Sequence, residues 1–130
     1  MPHIQIDYSA NLEERLDVAA FCRVIRDAAV QTGILPLAGI RVRATACNHW
    51  VIADGHPDHA FLDMSLRLRA GRSDADKAAA TATIFAAAER FCAGVLANSS
   101  FMLSFEMRDI DPALAPKTSS IRRYLPGEPL

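Results

Sequence analysis

One pattern, strand then helix then strand, is written twice along this chain, and that duplication restricts the fold more than any other feature. The first copy opens at His3-Ile4-Gln5-Ile6-Asp7-Tyr8, where Ile4, Ile6 and Tyr8 alternate onto one face of a strand. Asn11 offers an N-cap before Leu12-Glu13-Glu14. Val18, Phe21, Cys22, Ile25 and Ala29 then recur at spacings that make one helical face. Gly33 stands where a C-cap glycine belongs, and Pro36 forbids continuation. A second strand is expected from about Ile40 to Ile52, closed by the Asp54-Gly55 turn and Pro57.

The second copy starts with the alternation Leu62, Met64, Leu66, Leu68. Ser73 caps an alanine-rich helix with Asp74 and Asp76 in its first turn, where carboxylates oppose the helix dipole favourably. Ile84, Ala88, Phe91 and Val95 form its buried stripe, and Phe101 to Met107 is the last strand. Crossovers of this length join parallel strands. The expectation is therefore an α/β (α+β) domain over residues 1–130. Its halves are about 1–55 and 56–112, forming a four-stranded mixed sheet with two helices on one face. The tail, 113–130, has no clear period and is expected to wrap a neighbour or fray.

With the apolar faces turned to the helices, the opposite sheet face carries Gln5, Asp7, Arg41, Arg43, Thr45, Asp63, Ser65, Arg67 and Arg69, with Ser104 and Glu106 or their neighbours. Two readings stand: a solvated face, or faces that meet in an assembly and pair their charges. The balance of 14 basic and 15 acidic residues argues against nucleic acid, which needs a basic surplus. No apolar run is long enough to span a bilayer. The start lacks the regions of a secretory signal, and Cys22, Cys47 and Cys92 are odd in number and far apart. A cytoplasmic protein with free thiols is expected.

Pro2 is the first candidate for chemistry. A methionine before proline is ordinarily removed, which would leave a secondary amine. An α-amino group titrates at about 7.7–8.0, and burial beside arginines lowers that value. A base near neutral pH suits proton transfer next to a carbonyl. The plain alternative is a proline that merely starts a strand. Arg41 follows the Pro36–Ile40 segment, and Arg72 stands just before the Ser73 helix start, where backbone N–H groups also favour anions. Guanidinium forks hold carboxylates, although surface arginines are commonly structural. His56, His59, Cys47 and His49 do not make a four-ligand set, so no metal is expected. Phosphate loops, nucleophile elbows and dinucleotide fingerprints are absent.

The stretches Met1-Pro2-His3-Ile4, Thr32 to Arg41, Ala53-Asp54-Gly55, Gly71-Arg72-Ser73 and Leu103-Ser104-Phe105-Glu106 resemble the 5-carboxymethyl-2-hydroxymuconate Δ-isomerase family of the tautomerase superfamily. The resemblance runs over about 105 residues in the right order. It implies a tautomerase-like fold, a cofactor-free homotrimer and active sites near subunit boundaries. It implies Pro2 as general base, with Arg41 and Arg72 on the carboxylates of a small polyanionic substrate. The implied activity is isomerisation of a dienol tricarboxylate to its 2-oxo-3-ene isomer in homoprotocatechuate breakdown. Two alternatives remain at this point: a paralogue acting on another oxo or enol acid, and a catalytically idle trimer that binds. The segments Ala44 to His49 and Ala78-Ala79-Ala80 depart from the family pattern.

Overall fold

Alternating burial defines the first strand, β1 (His3–Ser9): Ile4 and Ile6 are fully buried while His3, Gln5 and Asp7 are not. The computed structural model describes residues 2–127, so the reading of Met1 and the end of the tail, 128–130, lie outside the described residues. After β1 come α1 (Val18–Gln31), β2 (Arg41–Cys47), β3 (Ala60–Arg69), α2 (Asp74–Phe91), α3 (Ala93–Asn98) and β4 (Phe101–Ile110). The strand order is β2-β1-β3-β4. β1 runs parallel to β2 and β3 parallel to β4, while β1 and β3 are antiparallel. This is the mixed sheet expected from two strand-helix-strand copies.

Both long helices cover one face of that sheet and pack on each other, with the Phe21 and Phe91 rings 5.7 Å apart. Leu62, Met64, Leu66 and Leu68 bury completely against Phe21, Ile25 and Ile84. Each such side chain contributes about 1.5–3 kcal/mol relative to exposure. On β4, Phe101, Leu103, Phe105 and Met107 join the core. Ser104 and Glu106 therefore belong to the opposite face, which removes the ambiguity left by the sequence.

Four boundaries differ from expectation. Asn11 does not cap a helix. Residues Ala10–Glu14 form a 3-10 turn, and the Asn11 amide donates to the carbonyls of Pro57 (3.3 Å) and His59 (2.9 Å). Asp17 caps α1 instead, its Oδ1 accepting from the Ala20 N–H at 3.0 Å. β2 ends at Cys47 rather than near Ile52, because its only neighbour, β1, ends opposite it at Ser9. The expected single helix breaks at Cys92, where ψ rises to 6°, and α3 carries Val95 into the core. β4 runs on to Ile110 because β3 supplies partners as far as Arg69.

The tail holds two 3-10 turns, Pro112–Leu114 and Ile121–Tyr124. Among the described residues no helix is long and apolar enough to cross a membrane.

Candidate active site

Residues paired in register point to the same side of a sheet, so the polar face can be read as rows. The first row is Arg41, His3, Arg67 and Arg108. The second is Arg43, Gln5, Ser65 and Glu106, and the third is Thr45, Asp7, Asp63 and Ser104. Charge is therefore graded along the strands. Cations gather at the end where β1 begins, and carboxylates at the other.

Pro2 lies at the cationic end. Its ring is fully buried, and its carbonyl accepts the Arg41 N–H at 3.2 Å. That bond extends the β1–β2 pairing by one residue and seats Pro2 beside the start of β2. A proline is tolerated there because it has no N–H to leave unpaired. Next to it, the His3 Nδ1 is buried without a hydrogen-bond partner. Burial first, then Arg41, Arg67 and Arg43, lower the His3 pKa from 6.5 to about 4. The imidazole is neutral at pH 7. The same surroundings disfavour any added positive charge.

Arg41 donates its Nε to the Gly39 carbonyl at 3.2 Å, and its exposed guanidinium lines a cleft of about 660 Å³. Arg72 is half-buried and held twice, from Nε to the Ile34 carbonyl (3.0 Å) and from Nη1 to the Arg69 carbonyl (2.9 Å). Gly71, at φ 122°, supplies the turn that sets Arg72 between β3 and α2. Ser73 then caps α2, its Oγ accepting from the Asp76 N–H at 3.1 Å. Arg72 lines a second cleft of about 330 Å³ with Arg69. The two clefts meet at Pro36 and Lys117, which line both. The structure thus puts Pro2 directly beside Arg41, whereas Arg72 faces the neighbouring cleft.

A wider cleft, about 830 Å³, lies across α1 and β2. Glu13, Glu14 and Asp17 line it beside Arg15 and Arg43, and its carboxylates repel an anion. His59 is engaged with Asp54 Oδ1 (2.7 Å) and Ser100 Oγ (2.6 Å). Among the described residues no three His, Cys, Asp or Glu side chains gather as metal ligands. Cys92 is buried and its pKa is pushed up to about 11 by that burial, which keeps it a thiol.

Sequence reasoning missed His3 and the basic tail residues Lys117, Arg122 and Arg123. His3 was within reach, because the alternation that buries Ile4 and Ile6 turns it onto the arginine face. The tail carries no periodic signal, so only the folded chain shows what it approaches.

Residues 2–125 match the family model for 5-carboxymethyl-2-hydroxymuconate isomerase. A 5-carboxymethyl-2-hydroxymuconate Delta-isomerase from Escherichia coli is 32% identical over 121 residues, 93% of this chain and 96% of the relative. A crystal structure of a 5-carboxymethyl-2-hydroxymuconate delta-isomerase superposes with TM-score 0.90 at 31% identity, covering 99% and 96% of the two chains. The Deinococcus radiodurans R1 5-carboxymethyl-2-hydroxymuconate isomerase gives 0.87 at 29%, covering 95% and 94%. A fused 4-OT wild-type symmetric trimer shares the fold at 0.65 and 22% identity, covering 89% and 93%.

Proposed function

Since this chain belongs to the 5-carboxymethyl-2-hydroxymuconate isomerase family and is an isomerase, we propose that it isomerises 5-carboxymethyl-2-hydroxymuconate with Pro2 as the proton carrier. A muconate is a diacid, and the carboxymethyl arm adds a third carboxylate. The observation that carries the reading is a fully buried Pro2 whose carbonyl accepts the Arg41 backbone N–H at the cationic end of the sheet.

Removal of Met1 turns the Pro2 nitrogen into a secondary amine. Its lone pair takes the proton of the substrate 2-hydroxyl as that O–H bond breaks. The C2=C3 and C4=C5 double bonds become C2=O and C3=C4, and the proline nitrogen returns a proton to C5. One proton moves, nothing is oxidised, and the step asks for no electron carrier. The arginine row disfavours the protonated form of the amine and balances negative charge spreading over the dienolate. Arg41 and Arg72 hold substrate carboxylates, and Arg72 is aimed by the two carbonyls that grip it.

We further infer a cytoplasmic homotrimer whose charged sheet faces meet, so that cationic and acidic rows find complements in neighbouring copies. A sheet face bearing cations at one end and carboxylates at the other supports this. The assay is loss of the dienol chromophore with a chain whose mass shows Met1 removed. Turnover by that form, and none by a form retaining Met1, is the expected outcome. Equal rates from both forms would sink the role of Pro2.

A further inference from the structure

We propose that Lys117 is a substrate-binding residue that takes the third carboxylate, so that the tail selects tricarboxylates over dicarboxylates. The proposal rests on the reading of an anionic substrate between Arg41 and Arg72. Lys117 lines both the Arg41 cleft and the Arg72 cleft. Among the described residues it is the one cation common to the two.

Among the described residues no acidic side chain lines either cleft, although the whole chain carries 15 acidic and 14 basic residues. Arg122 and Arg123 add to Arg41 and Lys117 around the first, and Arg69 joins Arg72 in the second. These six cations repel one another, and an anion relieves that repulsion. Among the described residues Lys117 has no salt bridge or side-chain hydrogen bond, and it is exposed. Its ammonium is therefore available.

Charge alone would favour any polyanion; the layout favours three separated carboxylates. Arg41 stands at the mouth of β2 and Arg72 at the head of α2, each tied to backbone carbonyls at its own place. A diacid is satisfied by those two anchors. A third carboxylate would remain in a cleft lined also by Arg122, Arg123 and the hydroxyl residues Thr118, Ser119 and Ser120, and of its cations only the Lys117 ammonium also borders the Arg72 cleft, where it serves as a mobile point charge. Because Lys117 lies on the tail, a single side chain can set this selectivity without disturbing the sheet.

Titration calorimetry tests this without requiring turnover. Propane-1,2,3-tricarboxylate and glutarate are bound to the wild-type protein, to Lys117→Met and to Lys117→Arg. Wild type should prefer the triacid. Lys117→Met should weaken the triacid at least tenfold while glutarate changes less than twofold, and Lys117→Arg should restore most of the loss. Equal weakening of both acids, an unaltered triacid affinity, or no triacid binding by the wild type overturns the proposal. In turnover assays, Lys117→Met should raise KM for the triacid substrate with kcat nearly constant. If wild type binds the triacid as described but shows no isomerisation, the catalytic reading fails and the selectivity of Lys117 stands.

Discussion

The two ends of the polar sheet face are built from the same strands and carry opposite charge. At one end Arg41, His3, Arg67 and Arg108 stand in a row, and Pro2 lies buried beside them. At the other, Asp7 and Asp63 are direct cross-strand partners, a like-charge pairing that costs stability in an isolated sheet. Ser104 relieves part of that cost by donating to Asp63 Oδ1 at 2.6 Å. At the cationic end, relief of another kind is visible: Arg43 Nη2 donates to Gln5 Oε1 at 3.1 Å, and His3 stays neutral. Within the chain Arg108 pairs with Glu106 on this face, and Asp7 and Arg67 make no salt bridge among the described residues. On the function proposed above, the separation serves chemistry at one end and assembly at the other.

The largest effect should come from the cationic end. Blocking removal of Met1, by inserting Lys between Met1 and Pro2, leaves an amide nitrogen without basicity. We expect kcat/KM to fall by about 10²–10⁴, the usual contribution of a general base. Pro2→Ala keeps an amine, so it should retain part of the rate and move the limb of the pH–rate profile that reports the amine. An inserted form as active as the processed one would break the comparison at its centre.

Arginine substitutions come next. Arg41→Ala and Arg72→Ala should each cost about 1–3 kcal/mol in kcat/KM, the size of a charge-assisted hydrogen bond, with the melting temperature nearly unchanged for Arg41→Ala. Arg72→Ala also frees the Ile34 and Arg69 carbonyls, and a modest fall in melting temperature accompanies its loss. An Arg41→Ala protein that melts early yet keeps full kcat/KM would mark that arginine as structural.

His3 sets a stability difference between acid and neutral pH. Its pKa in the folded protein is about 4, against an ordinary 6.5. Between those values the unfolded chain binds more protons, so the His3 contribution is whole above pH 6.5 and is lost as pH falls through 4. The slope is at most about 1.4 kcal/mol per pH unit for one proton. Urea unfolding at pH 4.5 and 7 should show this slope in wild type and a shallower one in His3→Gln. An identical slope in both proteins would assign it elsewhere.

The smallest effect belongs to the acidic end. Asp7→Asn should leave kcat/KM within twofold, whereas the assembly should weaken. Sedimentation equilibrium checks it: wild type at three times the 14.2 kDa chain mass, the variant partly dissociated. A wild type that sediments as a single chain would remove the reason for the segregated face.

Most of this fold was legible in the sequence because its elements depend on local periodicity. Ile4, Ile6 and Tyr8, Leu62 to Leu68, and Phe21 with Ile25 all alternate or recur as their burial requires. Boundaries were less legible, because strand ends depend on a partner: β2 stops at Cys47 only because β1 stops at Ser9. Pro2, Arg41 and Arg72 could be singled out from their places beside the chain start, a strand start and a helix cap. What linear order could not contain was distance between segments. The row that joins Arg41, His3, Arg67 and Arg108 draws on four strands. Lys117 reaches both clefts from an aperiodic tail, far along the chain from Pro36 beside it. Local patterns are encoded by neighbours in the sequence, and so the sequence alone determined the duplicated scaffold. Electrostatics acts through space, so only the tertiary structure decided which charges share an end of the sheet.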